Sequence, residues 1–340
     1  MNNINFNSIQ MKTNQFGWAG VQYSSNNRQA ILYTKNSGAN WTVVNPLNTI
    51  VLSICVVDSN SSWVYGLTNT NDQLIPTVFY TTDKGNTWYE IKVPVINDWE
   101  KTANVKVTLH AVDANNIWII LSRQSGINTF ENNLYYTKNR GQGWMIKKDL
   151  TIVDFITGLT FIDSLNGFIS IQKSYKNPTV YKTQDGGKTW IPIDNILYPP
   201  NTNQGFVISY KPIYKGDILI IPTKIFNNTS IFYLNISYDQ GKTWTISNKI
   251  LDTGKTAVSF FNSEFGWVID SQTGTTYGIK NKGLDWTGLS NSPILKDIFC
   301  LHFFDPQNGW ACNHTGIFKT TNGGTLWTAV PYTIDGTNLL

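Results

Sequence analysis

The chain has 340 residues, of which 41% are hydrophobic, 14% aromatic and only 14% charged, with a formal net charge of +4. So few charges beside so many aromatics exclude a disordered chain, and lysines scattered singly exclude the concentrated basic stripe of a nucleic-acid binder. No apolar run approaches a membrane span, and residues 1–11 are too polar for a secretory leader, which implies a cytoplasmic protein, or a secreted or envelope protein whose leader was removed.

Taken in chain order, the sequence predicts short strands joined by tight turns throughout, with no long helical period. An eight-residue pattern, Ser/Thr-x-Asp/Asn-x-Gly-x-x-Trp, recurs seven times. It runs from Thr34 to Trp41, Thr81 to Trp88, Thr137 to Trp144, Thr183 to Trp190, Ser237 to Trp244, Ile279 to Trp286 and Thr320 to Trp327. Only Ile279 breaks it, standing where the others have a hydroxyl. The third position is Asn36, Asp83, Asn139, Asp185, Asp239, Asn281 or Asn322. Its side chain can close the turn by accepting backbone N–H groups. The glycine supplies a positive φ, and the tryptophan opens the next strand with a ring to bury between sheets. Each of these roles is architectural, so the box carboxylates are structural residues.

A second pattern precedes each box, clearest in Phe161 to Phe168, Phe260 to Trp267 and Phe303 to Trp310: an apolar strand, a polar turn, then a strand opening on an aromatic. In the fourth repeat the two patterns together give strands Leu159–Asp163, Gly167–Gln172, Thr179–Thr183 and Thr189–Ile193. Four strands repeated seven times imply an all-β chain forming a single seven-bladed β-propeller, with the box between strands three and four. The blades approximate to residues 4–46, 47–95, 101–149, 152–195, 203–250, 253–290 and 293–332. The tail from Tyr332 could add an edge strand.

The boxes resemble the bacterial neuraminidase (BNR) repeats of the sialidase-like propellers, and the paired pattern is closest to single-domain propellers of the photosystem II assembly-factor type. The resemblance covers nearly the whole chain. It implies a propeller but not an activity, because hydrolases, sorting receptors and assembly factors share the boxes. Sialidases of this superfamily grip a carboxylate with three arginines; this chain has only Arg28, Arg123 and Arg140, and Arg140 lies inside a box. Sialidase activity is therefore not expected.

A glycoside hydrolase needs two carboxylates on one open surface, for which Asp98, Glu100 and Glu131 are the candidates; a solvated loop is the simpler reading of all three. His110 and His302 share one repeat position, where Cys55, Thr160 and Ser259 also fall, and are read as packing residues rather than metal ligands. No cofactor is expected. Three cysteines make no disulfide framework. Cys300 and Cys312 fall on adjacent strands of one predicted hairpin, where a bridge is conceivable, but buried free thiols are the expectation.

Long loops are predicted at Leu67–Val78, Val93–Lys106, Ser122–Leu134, Asp194–Phe206 and Thr223–Ser230, at the end of the sheets away from the boxes. They carry Trp99, Arg123, Phe130, Tyr175, Tyr198 and Phe226 among amides, a composition suited to a protein partner or a glycan. The expected protein is thus a monomeric binding or scaffolding propeller, with a carbohydrate-active enzyme as the alternative.

Overall fold

The computed structural model describes residues 4–23, 29–46, 48–71, 73–95, 97–101, 105–148, 150–174, 179–200, 202, 205–227, 229–248, 251–252 and 256–335. The chain is all-β, with its strands in antiparallel sheets and helix limited to three short 3-10 turns among these residues. It divides into two compact units. One comprises Met1–Asn45, Leu197–Pro199 and Ile213–Leu340; the other comprises Pro46–Ile196 and Pro200–Pro212.

In the second unit, repeat two forms the sheet Thr49–Val56, Ser62–Thr70, Gln73–Thr81 and Tyr89–Lys92, in that order. Repeat three forms Lys106–Ala111, Ile117–Gly126, Thr129–Thr137 and Met145–Lys147. Repeat four follows with Phe155–Phe161, Gly167–Ser174, Val180–Thr183 and Ile191–Pro192, boundaries a few residues from those expected. In the first unit, repeat six is Thr256–Phe260, Gly266–Asp270, Thr275–Lys280 and Asp285–Asn291, and repeat seven is Cys300–Phe303, Gly309–Asn313, Gly316–Thr320 and Thr328–Val330. Repeat five contributes Ile213–Lys215, Ile218–Asn227, Thr229–Ser237 and Thr245–Ile246. Repeat one, Ile4–Met11, Gly17–Tyr23, Gln29–Thr34 and Asn40–Val43, gains a fifth strand: Thr333–Asp335 lies parallel on Asn40–Thr42.

The expected long loops at Leu67–Val78, Ser122–Leu134 and Thr223–Ser230 are instead paired strands. They form two-stranded ribbons that continue the second and third strands beyond the rest of each sheet. Asn71 (φ 51°) and Asn128 (φ 57°) make the tight reversals of the first two, an amide tolerating the left-handed conformation that glycine usually supplies. The asparagines that suggested loops are turn residues of hairpins.

Side-chain size explains the Gly-aromatic start of each second strand. Gly167, Gly266 and Gly309 sit opposite Phe161, Phe260 and Phe303 in register. A Cβ on them would meet those rings at 2.7, 2.4 and 2.5 Å. Where the strand opens on Ser62 or Ile117, its opposite number shrinks to Val56 or Ala111. The ring made room for then stacks on the tryptophan of the preceding repeat: Trp118 on Phe161 at 3.7 Å, Trp267 on Phe303 at 3.6 Å.

Polar bonds run the same way. Trp63, Trp118, Trp267 and Trp310 donate their indole N–H to the turn carbonyls of Asp113, Gly186, Gly323 and Ser37 in the following repeat. The last of these joins repeat seven to repeat one. The position shared by Cys55, His110, Thr160, Ser259 and His302 also bonds to the chain that follows: Cys55 Sγ accepts from Ala111 N–H, His110 Nε2 meets Phe161 O at 3.1 Å, Thr160 donates to Pro212 O, Ser259 accepts from Phe303 N–H, and His302 Nε2 meets Met11 O at 2.7 Å. These residues staple neighbouring sheets, which is more than the packing expected of them.

Cys300 and Cys312 are disulfide-bonded, contrary to the free thiols expected. They are directly opposed in the hairpin with Cα atoms 5.3 Å apart, within the range a bridge requires. Cys55 stays free.

Candidate functional site

The eight-residue motif builds the same turn six times. The first-position hydroxyl donates to the third-position side chain and accepts from the glycine N–H, as Thr183 does with Asp185 (2.8 Å) and Gly187 (2.9 Å). The third-position Oδ1 also accepts the N–H of the seventh residue, whether from Asp83, Asp185 and Asp239 or from Asn36, Asn139 and Asn322. Asp boxes have threonine at the seventh position, and Thr87, Thr189 and Thr243 each donate to the second carboxylate oxygen at 2.6 Å. In the box without a hydroxyl the polarity reverses, Asn281 donating to Asp285 at 3.0 Å. Burial raises the Asp185 carboxyl, but the Thr189, Thr183 and Lys188 hydrogen bonds outweigh it and hold the group at about 2. Bonds from Thr243 bring Asp239 to about 2 as well.

The box tryptophans Trp41, Trp190, Trp244 and Trp327 are buried, while Trp88, Trp144 and Trp286 are partly exposed. A groove of about 400 Å³ opens beside two boxes of the second unit, lined by Tyr136, Trp144, Met145, Leu165, Asp185 and Lys188 among others. Of its side chains, Asp185 is committed to a turn and Tyr136 and Trp144 to ring contacts.

The 3-10 turn Asp98–Lys101 separates the three acidic candidates. Asp98 is exposed and pairs with Lys101 at 3.0 Å. Glu100 is 1% exposed and not solvated as expected. Its Oε1 accepts from Asn133 Nδ2 and the Tyr135 hydroxyl, both at 2.7 Å, and its Oε2 from Asn97 N–H. It pins the linker onto the third strand of repeat three, a role that sequence reasoning missed because Asn133 and Tyr135 are more than thirty residues away. Glu131 pairs with Arg123 across the ribbon at 2.8 Å. These three carboxylates do not form an open pair.

What the structure does bring together in the second unit is an aromatic and basic surface. The Arg123 guanidinium lies 5.1 Å from the Trp99 ring while bonded to Glu131. Next along the ribbon, Phe130 meets Phe155 edge-on at 5.1 Å. Lys106, which the sequence did not single out, sits 3.6 Å over the Phe155 ring and donates to Ile156 O at 2.8 Å. Burial lowers its ammonium to about 8. Beyond these, Ile127 at the ribbon tip is 92% exposed and Val153 53%.

The other unit carries Tyr198 and Phe226. Tyr198 is half-buried near Tyr233, whose phenol is pushed up by burial and by Tyr198. Phe226 is exposed, with the Lys224 ammonium 4.2 Å over its ring. Tyr175 and Arg28 lie outside the described residues. Arg140 stacks on Tyr80 at 5.4 Å. Among the described residues no group of three metal-ligating side chains occurs, and no helix is long and apolar enough to cross a membrane.

These turns and sheets define the class: an all-β repeat protein built from four-stranded antiparallel sheets. The sequence profile of the family described as Sortilin, neurotensin receptor 3, matches residues 29–164, less than half of the chain. In fold, the chain is similar to YCF48 bound to D1 peptide, at TM-score 0.59 and 16% identity, covering 94% of each chain. This likeness is one of fold, over nearly the whole length of both chains. A prolyl endopeptidase structure follows at TM-score 0.58 and 11% identity; the match covers 97% of this chain but about half (48%) of that one. An ulvan lyase of polysaccharide lyase family PL25 gives TM-score 0.47 at 12% identity over 80% of each chain. No curated protein matches the sequence.

Proposed function

We propose that this chain is a non-catalytic binding protein, a monomer that holds a polypeptide partner on the aromatic, ribbon-bearing surface of the second unit. The observation that carries it is the Trp99–Arg123–Phe130 surface, where aromatic rings and a guanidinium are fixed by Glu131, Phe155 and strand pairing. Preorganised aromatics beside an arginine are what anchor protein interfaces. The likeness in fold to YCF48, which is bound to a peptide, supports the same class of ligand here. Hydrolysis of a glycan is the weaker reading, since Glu100 is buried in structural bonds and Glu131 is neutralised by Arg123.

We further propose that the seven repeats, over the blade limits given above, close into one seven-bladed propeller. The bonds from Trp310 to Ser37 and from His302 to Met11, with the tail strand on Asn40–Thr42, support closure. The Cys300–Cys312 bridge favours a secreted or envelope location, because such bonds persist in oxidising compartments.

Screening the protein against a peptide array and a glycan array tests the reading. Peptide ligands should lose at least tenfold in affinity in Trp99→Ala and Phe130→Ala, with circular dichroism showing both variants folded at the assay temperature. Binding confined to glycans, or peptide binding indifferent to both substitutions, would overturn it.

A further inference from the structure

Three repeats carry projecting ribbons, and two have the outer edge of the third strand covered by chain that follows the fourth. In repeat three, Leu150 N–H donates to Asn132 O, and Phe130 N–H donates to Val153 O, both at 2.8 Å. In repeat five, Leu251–Asp252 pairs with Ile231 and Phe232. Counted back from the first residue of each box, Pro76 of repeat two corresponds to Asn132, and Leu74 corresponds to Phe130. The first bond recurs, Val93 N–H donating to Pro76 O at 3.3 Å. The second has no counterpart among the described residues. Among the described residues nothing hydrogen-bonds the outward edge at Leu74.

Register fixes which way Leu74 faces. Its partner across the ribbon is Asn69, whose N–H points away from it, to Asn48 O. Pro76, two residues on, faces the Val93 side. Because backbone direction alternates along a strand, the Leu74 N–H and C=O both point outward, off the ribbon. Among the described residues that leaves a complete ladder position, a donor and an acceptor, without a partner at a sheet edge. Beside it lies a groove of about 470 Å³ lined by Gln73, Leu74, Ile75, Pro76, Val95 and Lys101. Four of the six are apolar, and Lys101 supplies the one charge; it is about half exposed, while its partner Asp98 lies almost wholly in solvent. Lys101 stands two residues from Trp99 on the same 3-10 turn.

We propose that the Gln73–Pro76 edge is a strand-addition site for an extended peptide segment that pairs with the backbone of Leu74, sets an aliphatic side chain in the groove and places a carboxylate near Lys101. The occupant would take the place that Leu150–Val153 takes on repeat three. Main-chain bonds give such recognition its affinity and the alternate side-chain pocket its selectivity. Pro76 has no N–H to donate and its C=O already accepts from Val93 N–H, which limits pairing to a short segment and protects the ribbon from sheet-like aggregation. The proposal rests on the reading that the ligand is a polypeptide, and it specifies how that ligand docks.

The test uses a capped seven-residue peptide alternating threonine with valine and carrying one aspartate, titrated into the ¹⁵N-labelled full chain. Binding should slow hydrogen exchange of the Leu74 amide and shift it together with Val95 and Lys101. Methylating the peptide's central backbone nitrogen should weaken affinity about tenfold, as should Leu74→Pro, which removes the outward N–H and leaves the Asn69 side of the ribbon without a bond to lose. Lys101→Ala should lower affinity for the aspartate peptide but not for its asparagine counterpart. If the peptide binds while the Leu74 amide exchanges as before, the edge is not the site. If binding then depends on Trp99 and Phe130 alone, the polypeptide reading survives and this docking mode falls. No perturbation of Leu74 by this peptide at millimolar concentration overturns the proposal as well.

Discussion

The indole N–H of Trp310 donates to the carbonyl of Ser37, 3.3 Å away across 273 positions of the chain. It is the same bond that Trp267 makes to Gly323 and Trp118 to Gly186, so the last repeat treats the first as its next neighbour. Trp310→Phe keeps most of the buried ring and deletes this one donor. It should lower unfolding free energy by about 1 kcal/mol, the typical net worth of a buried hydrogen bond. Trp118→Phe should lower it by a similar amount. A urea melt of the two variants checks this, and an unchanged midpoint for Trp310→Phe would show that the bond joining the ends contributes nothing.

In the Asp boxes the carboxylate and the threonine four residues on form a unit. Thr189→Val removes the donor to Asp185 Oδ2, and Asp185→Asn offers an amide where an acceptor is needed. Each alone should cost roughly 1 kcal/mol, and the double variant little more than either. The Asp185 and Asp239 carboxyls, held at about 2 in the folded chain, bind protons more weakly there than when unfolded. Their stabilisation is therefore present above pH 4 and lost as pH falls through about 2. A double-mutant cycle at pH 7 and pH 2.5 should show the coupling reduced at the lower pH.

His110 and His302 titrate in the opposite sense to a paired histidine. Burial is the main cause of their shift, lowering them to about 3 and about 4 against an ordinary 6.5. Below pH 6.5 the unfolded chain takes up protons that the folded chain refuses. Stability is therefore complete above pH 6.5 and declines from there towards pH 4. Replacing both with glutamine should flatten that decline in a series of thermal melts between pH 4 and 7.5. A parallel decline in wild type and double variant would assign it to other groups.

Glu100 predicts loss of structure rather than loss of chemistry. Glu100→Ala strands the Asn133 amide and the Tyr135 hydroxyl in a buried site, which should cost about 2–4 kcal/mol. Glu100→Gln keeps one acceptor oxygen and should cost less. Calorimetry orders the two, and any glycan turnover that disappears in the Gln variant would reopen the hydrolase reading.

The disulfide is countable. The denatured, unreduced protein should bind one equivalent of a thiol reagent, at Cys55, and three after reduction. Three equivalents without reduction would restore the free thiols that the composition suggested.

The turns were legible because their chemistry is local. Thr183, Asp185 and Gly187 find their partners within four residues of one another, so spacing alone announces them. The Gly-aromatic pattern was equally visible, although its reason, the Phe161 ring facing Gly167, needs the register of two strands. The ribbons were misread as loops because Asn71 and Asn128 serve tight turns as well as irregular chain. Glu100 was misread because its partners approach from a distant strand, and a charged residue in a polar stretch looks solvated until the fold closes over it.

By itself the sequence determined the repeat: four strands, two kinds of turn and a tryptophan to fill the space between sheets. Each depends on hydrogen bonds and sterics within a few residues. Tertiary structure alone decided which groups survive folding unpaired. Phe130 and Leu74 occupy equivalent places in their repeats, yet chain returning along repeat three covers the Phe130 edge, whereas among the described residues none bonds the Leu74 edge. Openness of an edge depends on where the rest of the chain goes, and no spacing of residues along one strand records that path.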